Sequence, residues 1–340
     1  MTTYKESGVD IDLADRAKAE IKKHVKETFN RQTVVETGFF CGGVEIDCSK
    51  YKQPVIMASN DGVGTKMIVA KMAGDYSNVG EDIVNACAND LITSGAEPTM
   101  FLDYIASDKI NPQVASDIVK GIARTCKKLN IVLVGGETAQ MPGTYIAGEH
   151  DLAGTVIGLV EKTEIINGKQ IEAGDVLIGI SSKGLHTNGY SLARAVLFKK
   201  HKVTDYSPEL GRTIGECLLE PHREYVTLIR ELKTHVKLKG IAHITGGGIT
   251  ENLPRILPQG IGAKITKGTF EVQPIFKLIQ KEGEVPEADM YRTFNMGVGM
   301  IICVNKKDSM SAFMQIKKMN EKCWIIGETI KGSGVDYEEN

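Results

Sequence analysis

The sequence has no basic excess: 41 Lys and Arg against 43 Asp and Glu leave a formal charge of −2 at pH 7 over 340 residues. That argues against binding nucleic acid through bulk electrostatics, which needs a basic surface to displace counterions. Aromatic residues are scarce at 6%, with a single tryptophan, Trp324. No stretch approaches the apolar length that spans a bilayer, and the start Met1-Thr2-Thr3-Tyr4-Lys5-Glu6 lacks the basic and apolar regions of a secretory signal. A cytoplasmic protein that engages neither nucleic acid nor membrane is expected. The seven cysteines, Cys41, Cys48, Cys87, Cys126, Cys217, Cys303 and Cys323, are scattered and form no Cys-x-x-Cys pair. They read as reduced thiols, mostly small core residues, rather than a disulfide frame or a zinc site.

What is plentiful is glycine, with 36 residues, about one in ten against an average usage of roughly 7%. Glycine lets main-chain N–H groups approach a ligand closely, so backbone-mediated binding is the first chemistry to look for. Hydrophobic residues at 42% and charged residues at 25% fit an ordinary globular protein. At roughly 150 residues per domain, the length suggests two.

Apolar periodicity lays strands and helices alternately along the chain. Leu13, Ala17, Ile21, His24, Val25 and Thr28 recur at three- and four-residue spacing, which predicts a helix over 12–29 with lysines on its other face. Strands are expected at 54–58, 98–106, 130–134 and 153–160. Helices are expected at 78–94 and 112–128, the first stopped by Gly95 and Pro98. A polar turn at 161–174 marks the boundary between an N-terminal domain, 1–165, and a C-terminal domain, 170–340. Beyond it, strands are expected at 175–180, 241–244, 262–265, 297–304 and 323–326, and helices at 190–200, 221–232 and 306–319.

Four glycine-bearing turns each follow an expected strand: Asp61-Gly62-Val63-Gly64-Thr65-Lys66, Gly135-Gly136-Glu137-Thr138, Gly184 to Gly189, and Thr245-Gly246-Gly247-Gly248. A strand that empties into glycine and then a helix presents N–H donors and a positive dipole end, which suit phosphate. Glycines also simply end elements. None of the four is a familiar nucleotide fingerprint, since Gly62-x-Gly64 lacks a third glycine and Lys66 lacks the upstream spacing of a P-loop.

Asp90 shares a helix face with Ile83, Ala86, Cys87 and Ser94. A carboxylate on a core stripe needs a cation, a donor cluster or a metal; a structural Asp satisfied by N–H groups is equally open. Asp61 and Glu137 each end an apolar strand, so Asp61, Asp90 and Glu137 make a candidate oxygen-rich site for Mg²⁺ bridging phosphates. His186, beside the N-cap candidate Asn188, either meets an anion, shuttles a proton or stands exposed as a bystander. His243, inside an apolar strand, reads as a core histidine. Arg292 is a phosphate clamp or a surface arginine.

Together these residues resemble one family, the aminoimidazole ribonucleotide synthetases (phosphoribosylformylglycinamidine cyclo-ligases). The motifs run over nearly the whole chain: Tyr4-Lys5-x-Ser7-Gly8-Val9-Asp10-Ile11, Asp61 to Lys66, Asn89-Asp90-Leu91, Gly95-Ala96-Glu97-Pro98, Phe101-Leu102-Asp103-Tyr104, Gly135 to Ala139, Met141-Pro142-Gly143, His186 to Leu192, His243 to Gly248 and Phe294 to Met300. The resemblance implies two domains. One is an N-terminal α+β domain whose sheet joins its twin in a dimeric β-barrel; the other is a C-terminal α/β domain with a mixed sheet.

By the same resemblance the cofactors are ATP and Mg²⁺, with a K⁺ requirement left open, and the protein is a homodimer. Asp61, Asp90 and Glu137 would hold Mg²⁺ and phosphate, and Thr65 and Lys66 would contact phosphate. Gly62, Gly64, Asn89, Gly135 and Gly136 would complete the ATP site. His186, Asn188, Gly246, Gly247 and Gly248 would line the ribonucleotide and its 5′-phosphate, and Lys66, Asp90 and His186 would be catalytic. The implied reaction belongs to de novo purine biosynthesis. ATP phosphorylates the formyl amide oxygen of formylglycinamidine ribonucleotide, then an amidine nitrogen closes the imidazole ring of 5-aminoimidazole ribonucleotide, releasing ADP and phosphate.

The chain departs from the family pattern in three places. Glu36-Thr37-Gly38-Phe39-Phe40-Cys41-Gly42 stands for a more glycine-rich segment, Ala58-Ser59-Asn60 for the usual Ser-Gly-Thr, and Thr187 for a serine whose hydroxyl it keeps. Cys41 superficially suits selenophosphate synthetase, but no lysine follows it. Thiamine-monophosphate kinase, of the same ATP-using superfamily, and a catalytically silent nucleotide-sensing subunit are the rival readings.

Overall fold

The computed structural model describes residues 11–35 and 39–339, with side chains from residue 19 onward. The Tyr4–Asp10 motif, the side chains of Leu13 and Ala17, and residues 36–38 of the altered loop lie outside the described residues. The chain divides into two compact units: Met1–Leu91 with Ala96–Thr163, and Ile92–Gly95 with Glu164–Asn340.

In the first unit, helix α1 (Ile11–Lys26) is followed by two short paired strands, β1 (Thr33–Val35) and β2 (Gly43–Val44). Then come β3 (Pro54–Gly62), α2 (Lys66–Ala73), α3 (Val79–Thr93), β4 (Glu97–Ser107), α4 (Pro112–Leu129), β5 (Val132–Gln140) and β6 (His150–Glu161). The four long strands form one mixed sheet in the order β3-β6-β4-β5, antiparallel except for the parallel pair β4/β5. β6 alternates along its length, with Leu152, Gly154, Val156 and Gly158 buried and the residues between them half-exposed, the period-two pattern of a sheet with one covered face. Gly154 sits where any side chain would run into Phe101 and Ile83. Helix α4 starts at Pro112 because Asn111 caps it, Oδ1 accepting the Gln113 N–H at 3.0 Å, and ends where Asn130 turns left-handed at φ 60°.

The strands run further than their apolar cores suggest. Gly135-Gly136-Glu137-Thr138, expected as a turn at a strand end, lies inside β5, because β4 continues to pair with it out to Gln140. Cross-strand pairing holds a segment extended that glycine content alone would end.

In the second unit the order is β7 (Val176–Ser181), α5 (Tyr190–Leu197), β8 (Tyr206–Ser207), β9 (Arg212–Thr213), α6 (Ile214–Leu218), α7 (Val226–His235), β10 (Leu238–His243), α8 (Gly248–Asn252), β11 (Ile261–Thr266), α9 (Pro274–Gly283), α10 (Glu287–Thr293), β12 (Val298–Val304), α11 (Ser309–Lys318), β13 (Cys323–Lys331) and β14 (Val335–Glu338). Six of the strands form a mixed sheet ordered β10-β12-β7-β13-β11-β14, with only β11/β14 parallel. All seven residues of β12 are buried, as expected for a strand covered on both faces. β7 and β10 both run antiparallel to β12. Their C-terminal ends, Ser181 and His243, therefore emerge on the same side of the sheet, flanking the start of β12. The helix expected over 221–232 begins only at Val226. The preceding residues are drawn out because Arg223 and Tyr225 both donate to the Ser181 carbonyl, at 2.6 and 2.8 Å.

Candidate functional site

Register places the acidic residues of the first unit. Asp61 of β3 and Asp103 of β4 pair with Gly154 of β6 from its two sides, and Asp103 pairs with Gly136 of β5. Directly paired residues share a face, so both carboxylates lie with Gly154 on the face covered by α3. Cys87 of α3 marks this place, its Sγ 3.4 Å from the Gly154 carbonyl. Burial chiefly, then the charges of Asp61 and Asp90, push the Cys87 thiol well above its ordinary range. Asp61 and Asp90 therefore converge on one side of the sheet. Asp90 is half-buried rather than sealed in the core, and Ser59 Oγ lies 3.4 Å from its Oδ2.

Glu137 falls in the next row, with Gly62, Ala153 and Tyr104, and is exposed on the opposite face. The three-carboxylate set is thus split by strand alternation. Asp103, not singled out as a ligand from sequence, is the acid that shares the covered face. Burial raises its carboxyl, with Glu137 adding to the rise, from the ordinary 3.8 to about 7. A side chain at Gly136 would run into Asp103, which accounts for that glycine. The signal was present in Phe101-Leu102-Asp103-Tyr104: a carboxylate inside an apolar strand, the same pattern that marks Asp90.

The turn after β3 holds Gly64 at φ 63° with open space around it, and Val63 N–H donates to the Leu152 carbonyl at 2.9 Å. Thr65 occupies the position before α2. Lys66 turns inward: its side chain is fully buried and its Nζ lies 2.7 Å from Asp82 Oδ2, equally buried. The sealed carboxylate of α3 is therefore Asp82, one turn from the helix start. Asn89 is also fully buried. A cavity of about 740 Å³ opens at the His150 end of β6, four residues along that strand from Gly154, and is lined by Tyr76, Asp108, Asn111, Asp117 and His150.

In the second unit, two of the glycine loops lie together. Asn188 Oδ1 is 3.1 Å from where a Cβ at Gly246 would stand. Gly189, not Asn188, takes the cap position of α5, at φ 78°. The 181–186 loop is clamped from across the unit: Asn295 accepts from Ser182 Oγ at 2.8 Å and donates to the Gly184 carbonyl at 3.0 Å, while Gln273 Oε1 accepts the Gly184 N–H at 2.9 Å. Asn252 Nδ2 donates to the carbonyls of Gly246 and Gly248, at 3.0 and 2.9 Å, and so shapes the second loop. Gly247 and Gly248 adopt φ 97° and 60°, conformations that favour glycine.

His186 is no exposed bystander. It is 1% exposed, at φ 62°, and stacks on His222 with ring centroids 4.0 Å apart. His243 is buried as expected. Arg292 lies on the surface, its Nη2 2.7 Å from Glu251, so the clamp reading gives way to a solvent-exposed ion pair. All seven cysteines are free, and five are buried.

Family models for AIR synthase related proteins match residues 47–160 (N-terminal domain) and 172–338 (C-terminal domain). The phosphoribosylformylglycinamidine cyclo-ligase of Carboxydothermus hydrogenoformans is 46% identical over 332 residues, covering 97% of this chain and 96% of that protein. That of Bacillus mycoides is 44% identical over 338 residues, covering 99% and 98%. Among solved structures, thiamine-monophosphate kinase from Stenotrophomonas maltophilia superposes with a TM-score of 0.68 at 15% identity over 96% of this chain and 95% of that one. E. coli HypE, a hydrogenase maturation protein, gives 0.66 at 15% over 94% and 93%; both show a shared fold. No helix among the described residues is long and apolar enough to cross a membrane. At this identity over nearly full length, with both domain models matched in order, the chain belongs to the AIR synthase family of phosphoribosylformylglycinamidine cyclo-ligases.

Proposed function

We propose that the protein closes the imidazole ring of 5-aminoimidazole ribonucleotide from formylglycinamidine ribonucleotide, using ATP and releasing ADP and phosphate. The observation that carries this reading, beyond family membership, is the convergence of Asp61 and Asp90 beside the glycine turn 62–64, an oxygen-only donor pair next to a phosphate-compatible backbone.

Two carboxylates with a hydroxyl neighbour, Ser59, fit Mg²⁺, which prefers hard oxygen ligands. Asp61 and Asp90 would hold it, with Asp103 beside them, while Glu137 lies on the other face of the sheet. When bound, Mg²⁺ supplies positive charge to the transferred phosphoryl oxygens. The turn 62–65, with Gly135 and Gly136 across the sheet, presents backbone to the phosphates, and Lys66 orders that turn through its ion pair with Asp82. The cavity lined by Tyr76 and His150 gives the nucleoside end of ATP its room.

In the second unit, Asn188 and the Gly246–Gly248 loop would take the ribonucleotide and its 5′-phosphate, and His186 would fix the loop above them. Holding a flexible formylglycinamidine chain bent, with amidine nitrogen against formyl carbon, is an entropy-trap task suited to loops clamped this firmly. The protein is a cytoplasmic homodimer in this reading, offering the open face of the four-stranded sheet, where Ile56 is 67% exposed, to its twin.

The test is ADP release by the purified protein with formylglycinamidine ribonucleotide, selenide or thiamine monophosphate. Release with the first alone supports the reading. Release with either other substrate, or with none, contradicts it.

A further inference from the structure

Two turns of the second unit hold a large buried residue in the left-handed region of backbone space. His186, in the loop after β7, has φ 62°, and Met296, just before β12, has φ 51°; they are 1% and 3% exposed. Met296 and Gly297, at φ 101°, are the central pair of a turn closed by the Val298 N–H, which donates to the Asn295 carbonyl at 2.9 Å. A turn with positive φ at both central positions favours Asn, Asp or Gly there. Left-handed backbone is uncommon outside glycine, and it persists where the surrounding contacts over-determine it.

Those contacts run through two side-chain amides. Asn295, 3% exposed, accepts at Oδ1 from Ser182 Oγ–H at 2.8 Å and from the Gly297 N–H at 2.9 Å, and its Nδ2 donates to the Gly184 carbonyl at 3.0 Å. Gln273 accepts the Gly184 N–H at Oε1, at 2.9 Å, and its Nε2 donates to the Ser182 carbonyl at 2.8 Å and to Ser182 Oγ at 3.3 Å. A backbone N–H only donates and a carbonyl only accepts, so these partners fix which end of each amide is oxygen. One directed line results. Gln273 Nε2–H donates to Ser182 Oγ and Ser182 Oγ–H donates to Asn295 Oδ1, each bond polarising the next. Gly184 is held from both sides, its N–H on Gln273 and its carbonyl on Asn295.

The helix that Gln273 precedes does not use its side chain. Gln273 occupies the position before α9, where Ser, Thr, Asn or Asp would cap the first turn, and it makes no cap hydrogen bond. Pro274 follows, with no N–H to satisfy and a φ already set for the helix. The amide reaches instead to Gly184, 89 positions back in the chain.

We propose that Gln273 is a positioning residue for the ribonucleotide: with Ser182 and Asn295 it locks residues 182–184, and so keeps His186 left-handed and Asn188 against Gly246. The inference rests on the cyclo-ligase reading above, which places the ribonucleotide on Asn188 and the 246–248 loop. The lock is carried forward by Lys183, whose N–H donates to His186 Nε2 at 3.0 Å. From the far side Tyr190 Oη–H donates to the His186 carbonyl at 3.1 Å. Asn188 lies between these two anchors, its Oδ1 3.1 Å from where a Cβ at Gly246 would stand. A substrate that meets an ordered loop does not bear the cost of ordering it. Without the Gln273 amide that cost moves to the binding step, so affinity for the ribonucleotide falls while the bound substrate reacts as before.

The experiment compares full-length wild type with Gln273→Met, which keeps the length of the side chain and removes both hydrogen-bonding ends, and with Gln273→Glu. The second variant keeps an acceptor for the Gly184 N–H and places a carboxylate at the N-terminus of α9, which favours the helix, but it cannot donate to Ser182. Amide hydrogen exchange is expected to speed up across 182–189 in both variants and to stay at the wild-type rate across 298–304. In Gln273→Met, KM for formylglycinamidine ribonucleotide is expected to rise about tenfold, with kcat and KM for ATP within about twofold of wild type. Gln273→Glu is expected to show a raised ribonucleotide KM at an unchanged Tm. Wild-type exchange across 182–189 in Gln273→Met, a ribonucleotide KM within about twofold of wild type, or a loss of kcat with KM unchanged would overturn the assignment. The reaction and the lock fail separately: a wild type that releases no ADP with formylglycinamidine ribonucleotide refutes the reaction, while the exchange rates across 182–189 still read the lock.

Discussion

Lys66 Nζ lies 2.7 Å from Asp82 Oδ2, with both side chains fully buried beneath the turn that follows β3. Two charges withdrawn from water stabilise a fold only while both are present. Asp82→Ala removes the acidic partner of a buried ammonium and is expected to cost about 3–5 kcal/mol, read as a drop in the denaturant midpoint. The double variant Lys66→Met/Asp82→Leu is expected to recover most of that loss. If it folds no better than Asp82→Ala, the pair is not the source of the cost.

Asp103 gives a pH signature. Its folded-state carboxyl is raised to about 7 from the ordinary 3.8, so between those values the folded protein holds a proton that the unfolded chain has released. The contribution of Asp103 to stability therefore falls as pH rises from about 4 to 7. Asp103→Asn is expected to raise the Tm at pH 8 and to change it little at pH 4. An equal change at both would contradict the shift.

The split of the acids across the sheet ranks their roles. Asp61 and Asp90 share the face marked by Cys87, whereas Glu137 is on the other. Glu137→Gln is expected to leave the Mg²⁺ concentration for half-activity within about twofold, while Asp90→Asn removes activity at any Mg²⁺ concentration. The reverse order would put the metal on the open face.

Gly299 tests the packing around the histidines. A side chain there would run into the Tyr225 hydroxyl and the His186 ring. Gly299→Ala is expected to lower kcat and Tm together, whereas Gly64→Ala, with open space but φ 63°, is expected to lower ATP affinity with a smaller loss in Tm.

Much of this was legible in the sequence. The span of α3 follows from its apolar spacing and its Gly95 stop, and the loops after β7 and β10 follow from strands that empty into glycine. Asp90 stands out in the sequence because a carboxylate interrupts an apolar face, although the sealed carboxylate of α3 is Asp82. What escaped depended on partners distant in the chain. Gly135 to Thr138 is a strand only because β4 pairs with it, and Pro221 to Glu224 stays outside the helix because Arg223 and Tyr225 reach Ser181. His222 carried no local signal at all, being one residue in a segment with ordinary helical pattern; its place is set by His243, 3.0 Å away through Nε2 and 21 positions on.

The central claim is tested most directly by quenching the purified protein with ATP, Mg²⁺ and formylglycinamidine ribonucleotide and measuring ADP and 5-aminoimidazole ribonucleotide in the same samples. Equimolar formation of the two, dependent on the ribonucleotide and lost in Asp90→Asn, is the predicted result. ADP without the imidazole product, or full turnover in Asp90→Asn, would contradict it.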